Sequence, residues 1–187
     1  MIPFPGISLI DVQGQNRPQI GHALDPRYLR VHPGEIHTVV ERLASTCKRE
    51  EVDCVLGLVE GSYLPAFVFS QVIDRPVVLS TRCDLCLPGK ITFREPHSCQ
   101  YSTQYVFGLS KGDRAIIVED EITTGVTIVN AVNALRNAGI RINQVFSLLV
   151  VDAPAMWRKM DGLEIEVIAG DLLPGVLGSQ ITQLGKQ

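Results

Sequence analysis

Four short apolar runs alternate with helix-like segments along the chain, and this alternation constrains the fold more than any other feature of the sequence. The runs are VDCVLGLV at 52–59, PVVLS at 76–80, RAIIV at 114–118 and VFSLLVV at 145–151. Apolar runs of this length are typical of strands that are buried on both faces of a parallel sheet. The alternation therefore predicts an α/β fold with a mostly parallel sheet flanked by helices. A chain of 187 residues suits one core, so we expect residues 1–187 to form a single domain.

Three segments between or before these runs have the periodicity of amphipathic helices. They are residues 36–48, 62–73 and 127–138. The second helix can begin at Ser62, because Pro65 is tolerated in the first turn of a helix. The third has Thr127 as a possible N-cap, and Gly139 stands where a helix commonly ends.

The composition and charge of the chain exclude several classes of protein. Hydrophobic residues make up 45% of the chain, charged residues 20%, and the net charge is −3. An acidic protein has no general attraction to the phosphates of nucleic acid or to anionic lipid. The longest apolar runs are too short to span a bilayer, and the first residues lack the pattern of a secretory signal. We therefore expect a soluble, cytoplasmic protein with no nucleic-acid or membrane partner.

The chain contains five cysteines, an odd number that argues against a fully paired disulfide framework. Cys83 and Cys86, followed by His97 and Cys99, could supply four ligands to a zinc ion, although their spacing matches no standard zinc motif. The alternative is that these residues are free thiols and a histidine in a loop.

Three consecutive acids, Glu119, Asp120 and Glu121, follow the predicted strand at 114–118. Desolvation and mutual repulsion make such a cluster costly near a core, so a partner is expected. In an open parallel sheet, ligands bind beyond the carboxyl ends of the strands, which is where these acids are predicted to lie. The sequence thus predicts a ligand site at this edge.

The segment after the acids has the features of a phosphate-binding loop. A loop of small residues that enters a helix presents backbone N–H groups and the positive end of the helix dipole. Thr123, Thr124 and Thr127 add hydroxyl donors, and Gly125 allows the backbone to approach closely. A ribose 5-phosphate would suit both features, since its hydroxyls can donate to the carboxylates while its phosphate occupies the loop. A bound Mg²⁺ would further offset the acids.

The stretch VEDEITTGVT at 118–127 resembles the phosphoribosyl-pyrophosphate motif of the type I phosphoribosyltransferases. In that motif apolar residues precede two acids and a Thr-Thr/Ala-Gly loop. The resemblance implies that Glu119 and Asp120 bind the ribose hydroxyls, with Asp120 also catalytic. The implied contacts of the 5′-phosphate are Thr123, Thr124, Gly125, Val126 and Thr127. Val126 departs from the pattern, because a second glycine is frequent there.

The same resemblance implies a second loop that binds pyrophosphate, GLVEGSYLP at 57–65. Taken alone, this segment is an ordinary turn from strand to helix. Arg82 and Lys90 are further candidates, because cations offset the charge of a leaving pyrophosphate. The alternative for both is an ordinary surface cation. The implied pyrophosphate contacts are Glu60, Gly61, Ser62, Tyr63, Arg82 and Lys90.

Residues 84–109 resemble the flexible lid of that family, which closes over the reacting groups. The stretches ITF and QYVFG within the lid could pair as a two-stranded ribbon. Glu95 is the candidate acid–base residue, with a surface carboxylate as the alternative and His97 as another residue for the same proton. Residues 1–35 and 170–187 are predicted to form a small hood over the edge of the sheet.

The resemblance implies transfer of a phosphoribosyl group from 5-phosphoribosyl 1-diphosphate to a nitrogenous base, with Mg²⁺ carried by the diphosphate and the protein a homodimer. The length, the FPGISLIDV opening and the RxxxxxPGK pattern are similar to adenine phosphoribosyltransferases, whereas VED-x-ITTG is more similar to orotate enzymes. The base is expected to be a purine such as adenine. The alternatives are orotate, a specialised base, or a regulator that senses the diphosphate sugar without catalysis.

Overall fold

The structure is a computed structural model, and it describes residues 7–10, 19–27, 29–96, 102–152 and 154–174. Its strands are β1 Ile7–Ile10, β2 Gln19–His22, β3 Cys54–Gly57, β4 Val77–Leu79, β5 Ile91–Arg94, β6 Thr103–Val106, β7 Arg114–Ile122, β8 Arg141–Asp152 and β9 Glu166–Pro174. Its α-helices are α1 Pro33–Ala44, α2 Tyr63–Ile73, α3 Val126–Asn137 and α4 Pro154–Asp161.

A five-stranded parallel sheet with the order β4-β3-β7-β8-β9 forms the centre of the molecule. Successive residues of a strand face opposite sides of the sheet, so each strand contributes to two cores. Val55 and Val118 are buried with α1 and α2 on one side, whereas Leu56 and Ile117 are buried with α3 on the other. The predicted α/β fold with a mostly parallel sheet is confirmed, and all four predicted strands belong to it.

The strand that carries the acids is longer than the sequence predicts. The apolar run predicts a strand over 114–118, but β7 continues to Ile122. Its partner β8 also extends further, from Arg141 to Asp152, and pairs with the acidic segment at Glu119 and Glu121. The acids therefore lie within the sheet, because backbone hydrogen bonds to β8 continue past the end of the apolar run.

The three predicted helices are present, with different starting residues in two of them. Helix α1 begins at Pro33, because the Nδ1 atom of His32 accepts the backbone N–H of Gly34 at 3.2 Å and caps the helix. Helix α2 follows Ser62 as predicted. Helix α3 begins at Val126, so the prediction of Thr127 as N-cap is wrong; the N-cap position is Gly125. Among the described residues, no helix has the length and apolarity needed to cross a membrane.

The segment predicted as a flexible lid contains a packed ribbon. Strands β5 and β6 pair antiparallel, which confirms the predicted ribbon. Ile91, Phe93 and Val106 on its inner face are buried in the core beside α3. The alternating apolar residues thus fix one face of the ribbon to the core, and the lid role of residues 84–109 stays a prediction.

The structure describes only part of the two segments predicted to form a hood. Strands β1 and β2 pair antiparallel outside the main sheet, and their role in a hood stays a prediction. At the other end of the chain, β9 extends to Pro174 and pairs with β8. Residues 170–174 are therefore part of the main sheet and do not belong to a hood. The rest of that predicted segment, 175–187, lies outside the described residues.

Candidate active site

The carboxyl ends of the neighbouring strands β3 and β7 bring the two predicted ligand segments into contact. The Ser62 hydroxyl, just before α2, donates a hydrogen bond to Oε1 of Glu119 at 2.7 Å. A Cβ atom on Gly61 would lie 1.7 Å from Oδ2 of Asp120. Any side chain at residue 61 would therefore have to displace this carboxylate. The predicted pyrophosphate loop and the predicted ribose acids are therefore in direct contact.

Both acids are buried, with Glu119 9% exposed and Asp120 5% exposed. Burial raises the pKa of Glu119 well above its usual range, and the Asp120 carboxylate raises it further. Burial also opposes ionisation of Asp120, but the neighbouring side chains of His22 and Glu119 and the positive charge of Arg27 outweigh it and lower the pKa of Asp120. The pair therefore favours a proton on Glu119 and a negative charge on Asp120.

Three residues of the amino-terminal segment surround Asp120. Nη2 of Arg27 donates to Oδ2 of Asp120 at 3.1 Å and to Oδ2 of Asp25 at 2.7 Å. Nε2 of His22 lies 3.9 Å from the same oxygen of Asp120. Sequence reasoning missed all three, because Arg27 and Asp120 are separated by 93 positions and no local spacing links them.

A metal ion could in principle use part of this cluster. His22, Asp25 and Asp120 each offer a ligand atom, and these atoms lie within 4.8 Å of one another. However, the guanidinium of Arg27 already donates to both carboxylates. In this arrangement Arg27 supplies the positive charge that a metal would otherwise provide.

Arg82 joins the pyrophosphate loop to the ribbon. Its Nη1 atom lies 3.1 Å from Oε1 of Glu60, and its Nη2 atom lies 3.5 Å from Oε2 of Glu95. The hydroxyl of Tyr63 donates to the backbone carbonyl of Ser80 at 2.5 Å, which fixes the start of α2 against the end of β4. The structure thus brings three predicted pyrophosphate contacts, Glu60, Tyr63 and Arg82, close to Glu95, the predicted acid–base residue.

Gln104 on β6 connects these groups and was not predicted. Its side chain is 1% exposed. Its Oε1 atom accepts from the Ser80 hydroxyl at 2.7 Å and from the backbone N–H of Val59 at 3.3 Å, while its Nε2 donates to Oε2 of Glu95 at 2.8 Å. The sequence offered one signal for Gln104: it is a polar residue on the inward face of a predicted ribbon, where an apolar residue is expected.

The loop between β7 and α3 has the geometry expected of a phosphate site. Of the five predicted phosphate contacts, Thr123, Thr124 and Gly125 form this loop, and Val126 and Thr127 begin α3. Gly125 has a φ of 69°, and a Cβ atom there would lie 2.9 Å from side-chain atoms of Met156 and Met160 on α4. The Thr124 hydroxyl accepts the backbone N–H of Val126 at 3.5 Å. The loop leads into the amino terminus of α3, where N–H groups and the dipole favour an anion.

Lys90 is the predicted pyrophosphate contact that the structure does not bring to the loop. Its Nζ atom donates to Oδ2 of Asp84 at 2.5 Å and lies 5.5 Å from the ring centroid of Tyr105. Both partners belong to the segment that carries Lys90 itself. Its role at the site remains a prediction.

The predicted zinc ligands are only partly described. Cys83 and Cys86 are exposed free thiols at the base of the ribbon. His97 and Cys99 lie outside the described residues. The alternative prediction that His97 transfers the proton therefore stays a prediction.

Comparisons with known proteins give the family of the chain. Residues 25–168 match a family model described as phosphoribosyl transferase. The chain is 30% identical to the hypoxanthine/guanine phosphoribosyltransferase of Methanosarcina acetivorans over 144 residues, which cover 77% of this chain and 71% of that protein. It is 27% identical to the protein of the same name from Methanopyrus kandleri over 145 residues, covering 78% and 74%. The crystal structure of adenine phosphoribosyltransferase from Rhodothermus marinus matches with a TM-score of 0.70 and 17% identity over 89% of this chain and 94% of that one. At that identity the structural match supports the fold alone.

Proposed function

Because this chain belongs to the phosphoribosyl transferase family, we propose that it transfers the 5-phosphoribosyl group of 5-phosphoribosyl 1-diphosphate to a purine base and releases pyrophosphate. The observation that carries the proposal is the direct contact between the two ligand segments. Ser62 bonds to Glu119, and Gly61 packs against Asp120. A sugar that bears a phosphate at one end and a diphosphate at the other requires such adjacent subsites.

The ribose is held by the acids of β7 and the loop that follows them. Asp120, as a buried carboxylate, accepts a hydrogen bond from a ribose hydroxyl, while Glu119 carries a proton and is held by Ser62. The 5′-phosphate is bound by the N–H groups and hydroxyls of residues 123–127. Fixing both ends of the sugar places its anomeric carbon between the leaving group and the base.

The pyrophosphate leaves on the side of Arg82, whose charge offsets the negative charge that develops on it. Two carboxylates lie beside Arg82, and that of Glu60 is the more exposed, with 54% of its side chain accessible against 16% for Glu95. Glu60 can therefore approach a magnesium ion. Ser62 donates to Glu119 and Arg27 donates to Asp120, so both acids have partners without a metal ion, which fits a Mg²⁺ held mainly by the diphosphate and water. When bound, Mg²⁺ would neutralise the leaving pyrophosphate.

Glu95 is the residue proposed to take the proton of the incoming base. Gln104 and Arg82 both donate to its Oε2 atom and fix the carboxylate beside the pyrophosphate loop. Its side chain is 16% exposed, so it is accessible from the site and still oriented. A positioned carboxylate of this kind suits general acid–base catalysis.

A purine is favoured because the relatives found by sequence are named for hypoxanthine and guanine. Adenine remains a candidate because the sequence resembles adenine enzymes, and orotate or a specialised base is a second candidate because of the VED-x-ITTG form. A non-catalytic regulator that binds the diphosphate sugar is the alternative outside enzymes. We further propose a cytoplasmic homodimer.

The test is an assay of pyrophosphate release and nucleotide formation with 5-phosphoribosyl 1-diphosphate, Mg²⁺ and a panel of adenine, hypoxanthine, guanine and orotate. We expect turnover with at least one purine. Binding of the diphosphate sugar without turnover of any base would favour the regulator. Absence of both binding and turnover would contradict the proposed function.

The matched variant for this assay is Asp120→Asn. It keeps the size of the side chain and removes the charge that accepts the ribose hydroxyl, so we expect kcat/KM to fall at least about 100-fold. Asp161→Asn at the exposed end of α4 is the control and should retain wild-type activity. Full activity of Asp120→Asn would overturn the assignment of the ribose site.

A further inference from the structure

Arg27 is held firmly by Asp25 within the amino-terminal segment. Its Nε atom lies 2.9 and 3.0 Å from the two carboxylate oxygens of Asp25, and its Nη2 atom lies 2.7 Å from Oδ2. The backbone N–H of Arg27 also donates to Oδ1 at 2.9 Å. Asp25 is 1% exposed. A guanidinium with this many bonds to one buried carboxylate has little freedom to change direction.

The same guanidinium also donates to Asp120. Its Nη2 atom lies 3.1 Å from Oδ2 of Asp120, the same oxygen against which Gly61 packs. A Cβ atom at Gly61 would lie 2.7 Å from Nη2 of Arg27, so the three groups are in close contact. The position of Asp120 is thus set from one side by Arg27 and from another by the backbone of the pyrophosphate loop.

Arg27 supplies the positive charge that favours the ionised form of Asp120. The charged or titratable groups that face Asp120 in the described residues are His22, Asp25, Arg27 and Glu119. Arg27 is the permanent cation among them, while Asp25 and Glu119 are acids. A buried carboxylate that loses its cation becomes protonated or moves toward water.

We infer that Arg27, anchored by Asp25, is a positioning residue that holds Asp120 in place as the acceptor of a ribose hydroxyl. The inference rests on the proposed function, because the ribose is the ligand that Asp120 would meet. It assigns the amino-terminal segment a part in catalysis that lies outside the sequence motif at 118–127.

Arg27→Gln and Arg27→Lys test this inference, with Arg30→Gln as control because Arg30 is an exposed arginine of the same segment. For Arg27→Gln, loss of a charged hydrogen bond predicts a fall in kcat/KM for the diphosphate sugar of roughly 10- to 100-fold. Loss of the cation also raises the pKa of Asp120, so the acidic limb of the pH profile should move up by about one pH unit or more. Arg27→Lys keeps the charge, so its acidic limb should stay near the wild-type position while its kcat/KM falls less.

Folding is checked by thermal unfolding of each variant. A folded Arg27→Gln protein with the wild-type kcat/KM and pH profile would overturn the inference, as would equal changes in Arg30→Gln. If Arg27→Gln does not fold, Arg27→Lys decides: wild-type kcat/KM in that variant contradicts a positioning role. If the wild-type protein itself turns over no base, the proposed function has failed separately. The same variants are then compared by calorimetric titration with 5-phosphoribosyl 1-diphosphate and Mg²⁺, where equal affinities of Arg27→Gln and wild type would overturn the inference.

Discussion

Gly61 is the residue at which the geometry of the site is most tightly constrained. A methyl group there would overlap Oδ2 of Asp120, at 1.7 Å, and would come within 2.7 Å of Nη2 of Arg27. We therefore expect Gly61→Ala to displace the Asp120 carboxylate. Overpacking of this kind predicts a loss of about 1–3 kcal/mol in the free energy of unfolding, together with a large loss of kcat/KM. Urea unfolding and the base assay measure the two effects.

The control for this variant is Gly162→Ala. A Cβ atom at Gly162 meets no heavy atom within 4 Å, so the substitution adds a methyl group in open space. We expect its stability and activity to stay close to wild type. If Gly61→Ala behaved like this control, Asp120 could not be packed against the loop as the structure has it.

Glu119 predicts a specific dependence of stability on pH. Its pKa is raised mainly by burial, so the folded protein keeps the proton after the unfolded chain has released it. The contribution of Glu119 to the unfolding free energy must then decrease as pH rises above the ordinary glutamate value of about 4.5, with a slope of at most about 1.4 kcal/mol per pH unit. Glu119→Gln carries no such proton, and we expect it to gain stability relative to wild type as pH rises through this range.

Urea unfolding of both proteins between pH 4 and pH 8 measures this difference. Glu50→Gln serves as the comparison, because the Glu50 side chain is 78% exposed and its removal should leave the pH slope unchanged. A constant difference between Glu119→Gln and wild type over the whole range would mean that Glu119 is ionised in the folded protein.

At the scale of elements, the sequence predicts those strands and helices whose own residues show a clear apolar pattern. Apolar runs identified four strands of the sheet, and helical periodicity identified α1, α2 and α3. Strand β9 and helix α4 were missed, since β9 at an edge of the sheet lacks a continuous apolar run and α4 is short. The length of β7 was also missed, because it depends on pairing with β8 and not on its own composition.

The candidate site likewise could be predicted only where its residues are close together in the sequence. The loop motifs were found because their residues are consecutive: Gly61 with Ser62, and Glu119 with Asp120. Arg27 and Gln104 could not be found in this way, because their roles arise from contacts between distant segments. The physical reason is that a hydrogen bond between two distant segments produces no repeating pattern in the sequence of either segment.

Gln104 makes the ribbon an integral part of the site, and this predicts a large cost for its loss. Gln104→Leu would leave the Ser80 hydroxyl, the Val59 N–H and the Glu95 carboxylate without this partner inside the protein. We expect a loss of at least about 2 kcal/mol in the free energy of unfolding, and a lower kcat because Glu95 is no longer oriented. Urea unfolding and steady-state kinetics measure these changes.

Gln144→Leu is a matched control for this variant. Gln144 also lies on a strand and donates to a glutamate, Glu166, at 2.9 Å, but this hydrogen bond is exposed. Its loss should change the free energy of unfolding by less than about 0.5 kcal/mol. If the two leucine variants were equally stable, the Gln104 hydrogen bonds could not be buried in the way described.

At the scale of the whole molecule, the site is assembled from segments spread along the chain. The amino-terminal segment contributes Arg27, the proposed pyrophosphate loop contributes Gly61, β7 contributes Asp120 and the residue after β5 is Glu95. A ligand that contacts all of these segments binds the folded state and has no counterpart site in the unfolded chain. Ligand binding and global stability are therefore coupled.

This coupling predicts a shift in the thermal unfolding midpoint. At a concentration of 5-phosphoribosyl 1-diphosphate about 100 times its Kd, with Mg²⁺, the gain is about 2.7 kcal/mol, or roughly 5–11 °C for a chain of this size. Asp120→Asn should show a smaller shift at the same concentration, because one ribose contact is lost. Differential scanning calorimetry with and without the ligand measures both proteins. A wild-type midpoint that does not change would contradict the sugar-phosphate site, whereas an increase without turnover of any base would identify a protein that binds the diphosphate sugar without using it.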